Sequence, residues 1–134
     1  MSIFDKATTK ADEGAELELL DPIDYEYTGY RITLRGKDSE AFRKFQRAKN
    51  RAQMNKVAKS GRNKIDFTGD EGYDFTTDML VALTVDWNLK GEGESALPCD
   101  DETKREIYTD RRVAWIRDQA TDFVEDRANF LSQS

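Results

Sequence analysis

Side chains able to do chemistry are concentrated in three places. The first is "AFRKFQRAKNRAQMNKVAKSGRNK", residues 41–64, which holds nine Lys and Arg and no Asp or Glu. Positive charge at that density neutralises phosphates or carboxylates; it does not make or break bonds. The second is "DFTGDEGYDFTTD", which clusters Asp66, Asp70, Glu71, Asp74 and Asp78. A calcium loop of the EF-hand kind needs Gly at its sixth position and Glu at its twelfth. Counted from Asp66 those positions hold Glu71 and Thr77, and counted from Asp70 they hold Phe75 and Val81. Both registers fail, so the acids read as a polar loop and a helix cap. The third is Cys99, the lone cysteine, in a chain with no histidine. Without imidazole the usual general base and the commonest metal ligand are missing, and the thiol has no activating partner. No phosphate loop, dinucleotide fingerprint or nucleophile elbow is present. The sequence therefore predicts no enzyme, no cofactor and no metal site.

The basic run stands against its surroundings. Residues 1–40 carry five basic and ten acidic side chains, residues 41–65 nine and none, and residues 66–134 seven and seventeen, for a formal charge of -6 overall. Three partners compete for such a segment: nucleic acid, an acidic polypeptide, or water alone over a solvated helix. Nucleic acid is disfavoured, because the rest of the chain repels a polyanion and no zinc pair, helix-turn-helix spacing or aromatic RNA signature occurs. An acidic polypeptide, including the acidic surface of a second copy, fits the charge blocks. A contact between two different surfaces of this kind builds rings or open helices. The candidate partner-binding residues are Arg43, Lys44, Arg47 and Arg51 on the basic helix, with Trp115, Phe130 and Leu131 near the far end. For the last two the reading is open between stapling the final helix and forming an exposed apolar tip.

The elements that must position these groups follow from periodicity. Charged residues are 36% and hydrophobic residues 37%, which suits one small core under a large wet surface. Residues 1–22 read as a flexible acidic arm, and residues 23–134 as a single domain. "IDYEYTGYRITLRG", residues 23–36, alternates large apolar with polar residues and predicts a β-hairpin turning at Thr28-Gly29. A helix is expected over 39–60, capped by Asp38 or Ser39, with Ala41, Phe45, Ala48 and Ala52 as its packing stripe, Phe42 and Phe45 as its large anchors, and its later turns standing proud. Residues 60–75 read as a loop. A second helix is expected over 76–89, capped by Thr76 or Thr77, and a pair of helices over 100–131, the first capped by Asp100 or Cys99 and the second at Thr109-Asp110. The fold class is mainly α: three to four helices with an N-terminal β-hairpin. "MSIFDKATTK" lacks the apolar core of a secretory signal, and no run approaches the ~20 apolar residues of a membrane span, so a cytosolic address is expected.

Several stretches taken in order resemble the tail assembly chaperones of long-tailed, siphovirus-type bacteriophages and prophages. They are "GYRITLRGKDSEAFRKFQR", "LVALTVDWN", "LPCDDETKREIYTD" and "VAWIRDQATDFVEDRANFL", and the likeness spans about residues 23–131. The resemblance implies a small, mostly helical, non-enzymatic protein. Such proteins guide the tape-measure protein, help bring tail-tube subunits to it, self-associate in spirals and are absent from the finished particle. Many also exist as a longer form made by translational frameshifting. Trp87, Trp115, Asn129, Phe130 and Leu131 fall in the matching segments. The resemblance thus implies tape-measure and tail-tube partners, a homo-oligomer, no membrane and the bacterial host cytoplasm. The alternatives are a structural head–tail component and a small DNA-associated regulator.

Overall fold

Alternation in "YRITL" buries Ile32 and Leu34 completely and leaves Arg31 in solvent, so one face of a strand lies on the core and the other is wet. The computed structural model describes residues 2, 3, 7, 10–60 and 69–131, with backbone alone for 55–60 and 69–71. Its elements in chain order are α1 (Lys10–Glu13), β1 (Ala15–Leu20), β2 (Tyr27–Leu34), α2 (Glu40–Ser60), α3 (Gly69–Leu83), β3 (Thr84–Trp87), α4 (Asp101–Thr109) and α5 (Ala114–Glu125). Single 3-10 turns cover Glu92–Glu94, Arg111–Val113 and Arg127–Phe130. The fold is mainly helical with a minor antiparallel sheet in the order β1-β2-β3.

The expected hairpin forms, but from other residues. β2 runs straight through Thr28 and Gly29, and its partner is β1, which lies inside the segment expected to be a flexible arm. Leu17 pairs with Ile32 and Ala15 with Leu34, and Leu19 is fully buried. The connecting turn is residues 21–26. Asp21 organises it: its carboxylate accepts from the backbone N–H of Ile23 at 2.8 Å, and its N–H donates to the carbonyl of Glu26 at 2.8 Å. The acids of residues 10–24 mask the "LEL" alternation, which matters only once a second strand lies beside it. Gly29, at φ +91°, absorbs the irregular register near Glu18 and Leu20 without a steric cost.

The second helix also differs. α3 starts at Gly69 instead of residue 76, so part of the expected loop is helical and Thr76 and Thr77 are interior. Their hydroxyls donate back to the carbonyls of Gly72 and Tyr73 at 3.1 and 3.0 Å. α3 stops at Leu83, and Thr84–Trp87 turns into β3, pairing Trp87 with Ile32 and Thr84 with Leu34. Lys104 explains the stop. Its buried ammonium donates to the carbonyls of Thr84 at 2.8 Å and Val81 at 3.4 Å, capping the negative end of the helix. The caps expected elsewhere are present. The Ser39 hydroxyl accepts from Phe42 N–H at 3.1 Å, Asp100 from Thr103 N–H at 2.8 Å, and Asp110 from Arg112 N–H at 2.9 Å.

One core joins these layers. Ile32 and Leu34 of the sheet meet Leu80 and Leu83 of α3, Tyr108 of α4, and Ile116, Ala120 and Val124 of α5. Buried polar groups within it are satisfied. Thr84 bridges Leu80 O at 2.6 Å and the Tyr108 hydroxyl at 2.7 Å, and burial pushes the Tyr108 phenol well above its ordinary value. Among the described residues no helix is long and apolar enough to cross a membrane.

Candidate functional site

α2 is attached to the body by one edge only. None of its side chains over residues 40–54 is fully buried. Phe45 meets Phe75 of α3 with ring centroids 5.2 Å apart, and Phe42 lies 6.1 Å from Phe45. Lys49 completes the contact: its ammonium bonds the Asp78 carboxylate and sits 5.8 Å from the Phe45 ring centroid. Arg105 of α4 holds the other oxygen of Asp78 at 2.7 Å. The packed edge thus holds Ala41 and the expected anchors Phe42 and Phe45, with Lys49 beside them. Ala48 and Ala52, expected to pack, are exposed. Two phenyl rings outweigh small methyls in choosing which side of the helix turns inward.

That rotation leaves the opposite face free and cationic. Arg43, Lys44, Arg47 and Arg51 are all exposed. Arg47 reaches back to Glu40 at 2.8 Å. Arg43, Lys44 and Arg51 make no ion pair among the described residues. Lys44, Arg47 and Arg51 surround Ala48 in a shallow depression. The sequence-predicted side chains of Lys56, Lys59, Arg62 and Lys64 lie outside the described residues.

The three apolar candidates fare differently. Phe130 is 1% exposed, so it is no partner-binding tip. Its ring packs edge-on to Phe123, 5.4 Å between centroids, and against Gly36, which Ala11 also approaches. The 3-10 turn Arg127–Phe130 drives it inward, aided by Arg127 on Asp38 at 2.8 Å. Trp115 packs partly against the core, and Leu131 is half-buried.

A second surface was not marked by the sequence reading. Between β1 and α5 runs a groove lined by the half-buried Leu17 and Phe123 and by the exposed Leu20 and Tyr25. Exposed Glu18, Asp122 and Asp126 flank it, and none of them makes an ion pair among the described residues. The turn at its mouth displays Ile23 at 88% and Tyr25 at 72% exposure. Tyr25 has φ +61°, a conformation strained for any residue with a side chain. The available signal was "DPIDYE", which puts large apolar residues among acids; in a turn such residues face water instead of a core.

The displaced carboxyls suit pairing, not proton transfer. Burial alone would raise Asp78, but hydrogen bonds from Lys49 and Arg105, with their charges, outweigh it and hold the group below its ordinary value. The Arg112 side chain and N–H bring Asp110 down to about 2. Burial pushes the half-buried Cys99 thiol up, away from the reactive thiolate. Asp66 and the side chains of Asp70 and Glu71 lie outside the described residues, and the described ones hold no group of three or more His, Cys, Asp or Glu placed around a metal position. No family model, curated protein or solved structure matches the chain.

Proposed function

We propose that this chain is a phage tail assembly chaperone: a non-enzymatic protein that docks on the tape-measure protein, helps recruit tail-tube subunits, and self-associates through charge-complementary surfaces. It works in the cytoplasm of the bacterial host and is left out of the mature particle. The observation that carries this reading is the free face of α2, where Arg43, Lys44 and Arg51 stand exposed and make no ion pair among the described residues. Cations of one sign on a lightly seated helix steer and orient an acidic polypeptide, and their solvation keeps the contact reversible. A transient escort needs that combination of encounter and release. The ordered resemblance of residues 23–131 supplies the identity of the clients.

The test is co-expression with the tape-measure protein encoded by the same genome, followed by affinity capture. Reversing Arg43, Arg47 and Arg51 to Glu should cut client recovery by about tenfold or more while the circular dichroism spectrum is kept. Equal recovery removes α2 from the mechanism, and no recovery with the parent chain removes the chaperone reading. Mass spectrometry of purified virions should find the chain missing; its presence would favour a structural head–tail component. Tight binding to duplex DNA with a steep salt slope would favour a DNA-associated regulator.

A further inference from the structure

α5 carries a row of acids. Asp118, Asp122 and Asp126 recur every fourth residue, the last at the helix's C-cap. All three are exposed, and none makes an ion pair among the described residues. Side chains at that spacing stand one above another, with Cβ atoms about 5–6 Å apart. Asp122 and Asp126 border the groove between β1 and α5, Glu18 borders it from β1, and Leu17, Leu20 and Phe123 line it. Arg31, opposite Glu18 in the sheet, is taken by Glu16 at 2.9 Å. We propose that this groove is a docking site for a cationic amphipathic helix of a partner protein. Its large apolar side chains sit on Leu17, Leu20 and Phe123, its Lys or Arg side chains face the aspartate row, and Tyr25 closes over it. The site goes beyond the reading of α2, which takes acidic partners, and is opposite to it in sign.

The shape of the occupant follows from what closes the alternatives. β1 is an outer strand of the sheet, so an extended segment would add to it through backbone hydrogen bonds. The side-chain amide of Gln119 already holds the N–H and the carbonyl of Leu20, which stops strand addition there. A helix needs no backbone partner. Laid along α5, it sets cations four residues apart against acids four residues apart, with its apolar stripe toward the groove. The α2 face of a second copy does not fit. It brings charge, but it offers Ala48 to the groove, while its large rings, Phe42 and Phe45, pack toward its own body. Tyr25 is fixed for the part. Its N–H donates to Asp21 O at 2.9 Å, and Asp21 also holds Ile23 and Glu26, so an ordered turn keeps the ring exposed at φ +61°. Backbone strain of that kind persists where the rest of the turn over-determines it.

The probe is a fluorescein-labelled Leu/Lys peptide about fifteen residues long, with leucines at helical spacing, titrated with the full chain and read by anisotropy. Binding should saturate and weaken as salt rises. A peptide of the same composition with Leu and Lys alternating should bind at least about tenfold more weakly, because its leucines share a face only as a strand. Asp118→Lys with Asp122→Lys should weaken binding at least about tenfold and keep the melting temperature. Glu102→Lys with Glu106→Lys makes the same change of net charge on α4 and should leave binding within about twofold. Tyr25→Gly, which suits the positive φ, should weaken binding about threefold or more with the fold kept. No saturable binding by the parent chain overturns the proposal. So does equal weakening by the α4 pair, which would mean attraction to net charge alone. Equal binding of the alternating peptide would mean strand addition and also overturns it, as does a Tyr25→Gly chain that binds like the parent. If the Asp118 and Asp122 reversal spares the peptide but abolishes self-association in sedimentation, the groove belongs to a second copy and the proposal falls. Tape-measure capture by the parent chain is scored separately. A chain that captures that client but not the peptide overturns this proposal and leaves the chaperone reading standing; the opposite pair of results does the reverse.

Discussion

The side-chain amide of Gln119 pairs with the backbone of Leu20 as another strand would. Leu20 N–H donates to Gln119 Oε1 at 2.8 Å, and Gln119 Nε2 donates to Leu20 O at 2.8 Å. One residue of α5 thereby satisfies part of the open edge of β1, beside the groove, and ties the sheet to the last long helix. Gln119→Ala is expected to cost about 0.5–1.5 kcal/mol in urea unfolding. Gln119→Glu should cost more, because its carboxylate faces the Leu20 carbonyl with no donor. Amide exchange at Leu20 should quicken in both; unchanged exchange would show that the pair does not hold the edge.

Gly36 lies under the Phe130 ring. A methyl built there would sit 3.0 Å from two ring atoms and 3.2 Å from Ala11 Cβ. Gly36→Ala should therefore destabilise by about 1–3 kcal/mol through overpacking. Phe130→Ala should cost about 3–5 kcal/mol through the cavity it leaves. Chemical denaturation of a double-mutant cycle should show strong coupling between the two positions, since removing the ring removes the clash.

Asp78 is joined by Lys49 and Arg105, which links α2, α3 and α4. Its folded value lies below the ordinary 3.8, so its stabilisation is present in full above that value and is lost as pH falls through the folded one. Asp110, brought down to about 2, acts in the same direction over the window from its ordinary 3.8 to about 2. Melting temperature measured from about pH 6 to pH 2 should fall below pH 4, and less steeply in Asp78→Asn. At neutral pH that variant should lose about 1–2 kcal/mol, a figure reduced by the partial exposure of both cations.

Arg117 is buried and makes no ion pair among the described residues. Its guanidinium donates to Thr77 Oγ1 at 2.6 Å, Tyr108 O at 3.0 Å and Tyr73 O at 2.7 Å, and stacks 3.7 Å from the Tyr73 ring centroid. A planar fork spans three acceptors on two helices, which a single ammonium does not. Arg117→Lys should lower stability by about 2–3 kcal/mol in urea titration, and near-neutrality would show that the stacking and the second donor are dispensable.

Reversing Arg43, Lys44 and Arg51 to Glu should change unfolding free energy by no more than about 0.5 kcal/mol, because none makes an ion pair among the described residues. A larger loss, read from the same urea titration, would mean that these cations serve the fold.

Features set by short-range chemistry were legible in the chain. Ser39, Asp100 and Asp110 cap where their types say they should, because a cap is closed within three residues. The strand through Ile32 and Leu34 and the cationic character of the first long helix were equally plain, since periodicity and charge are local properties. Partners distant in sequence were not. β1 is a strand because β2 lies beside it and Gln119 closes its edge; alone, "AELELL" is an acidic tail with a few leucines. "TVDW" leaves the helix because Lys104, twenty residues on, takes the carbonyls of Val81 and Thr84. Phe130 turns inward because Gly36 leaves room for its ring. The facing of α2 followed from where Phe75 and Asp78 stand, and the groove exists only where β1 and α5 meet. Amino-acid order determined which segments could be helix, strand or cap and where charge of each sign would gather. Tertiary packing decided which of those segments pair, and so which charges remain uncovered, because burial and pairing free energies belong to surfaces that only folding brings together.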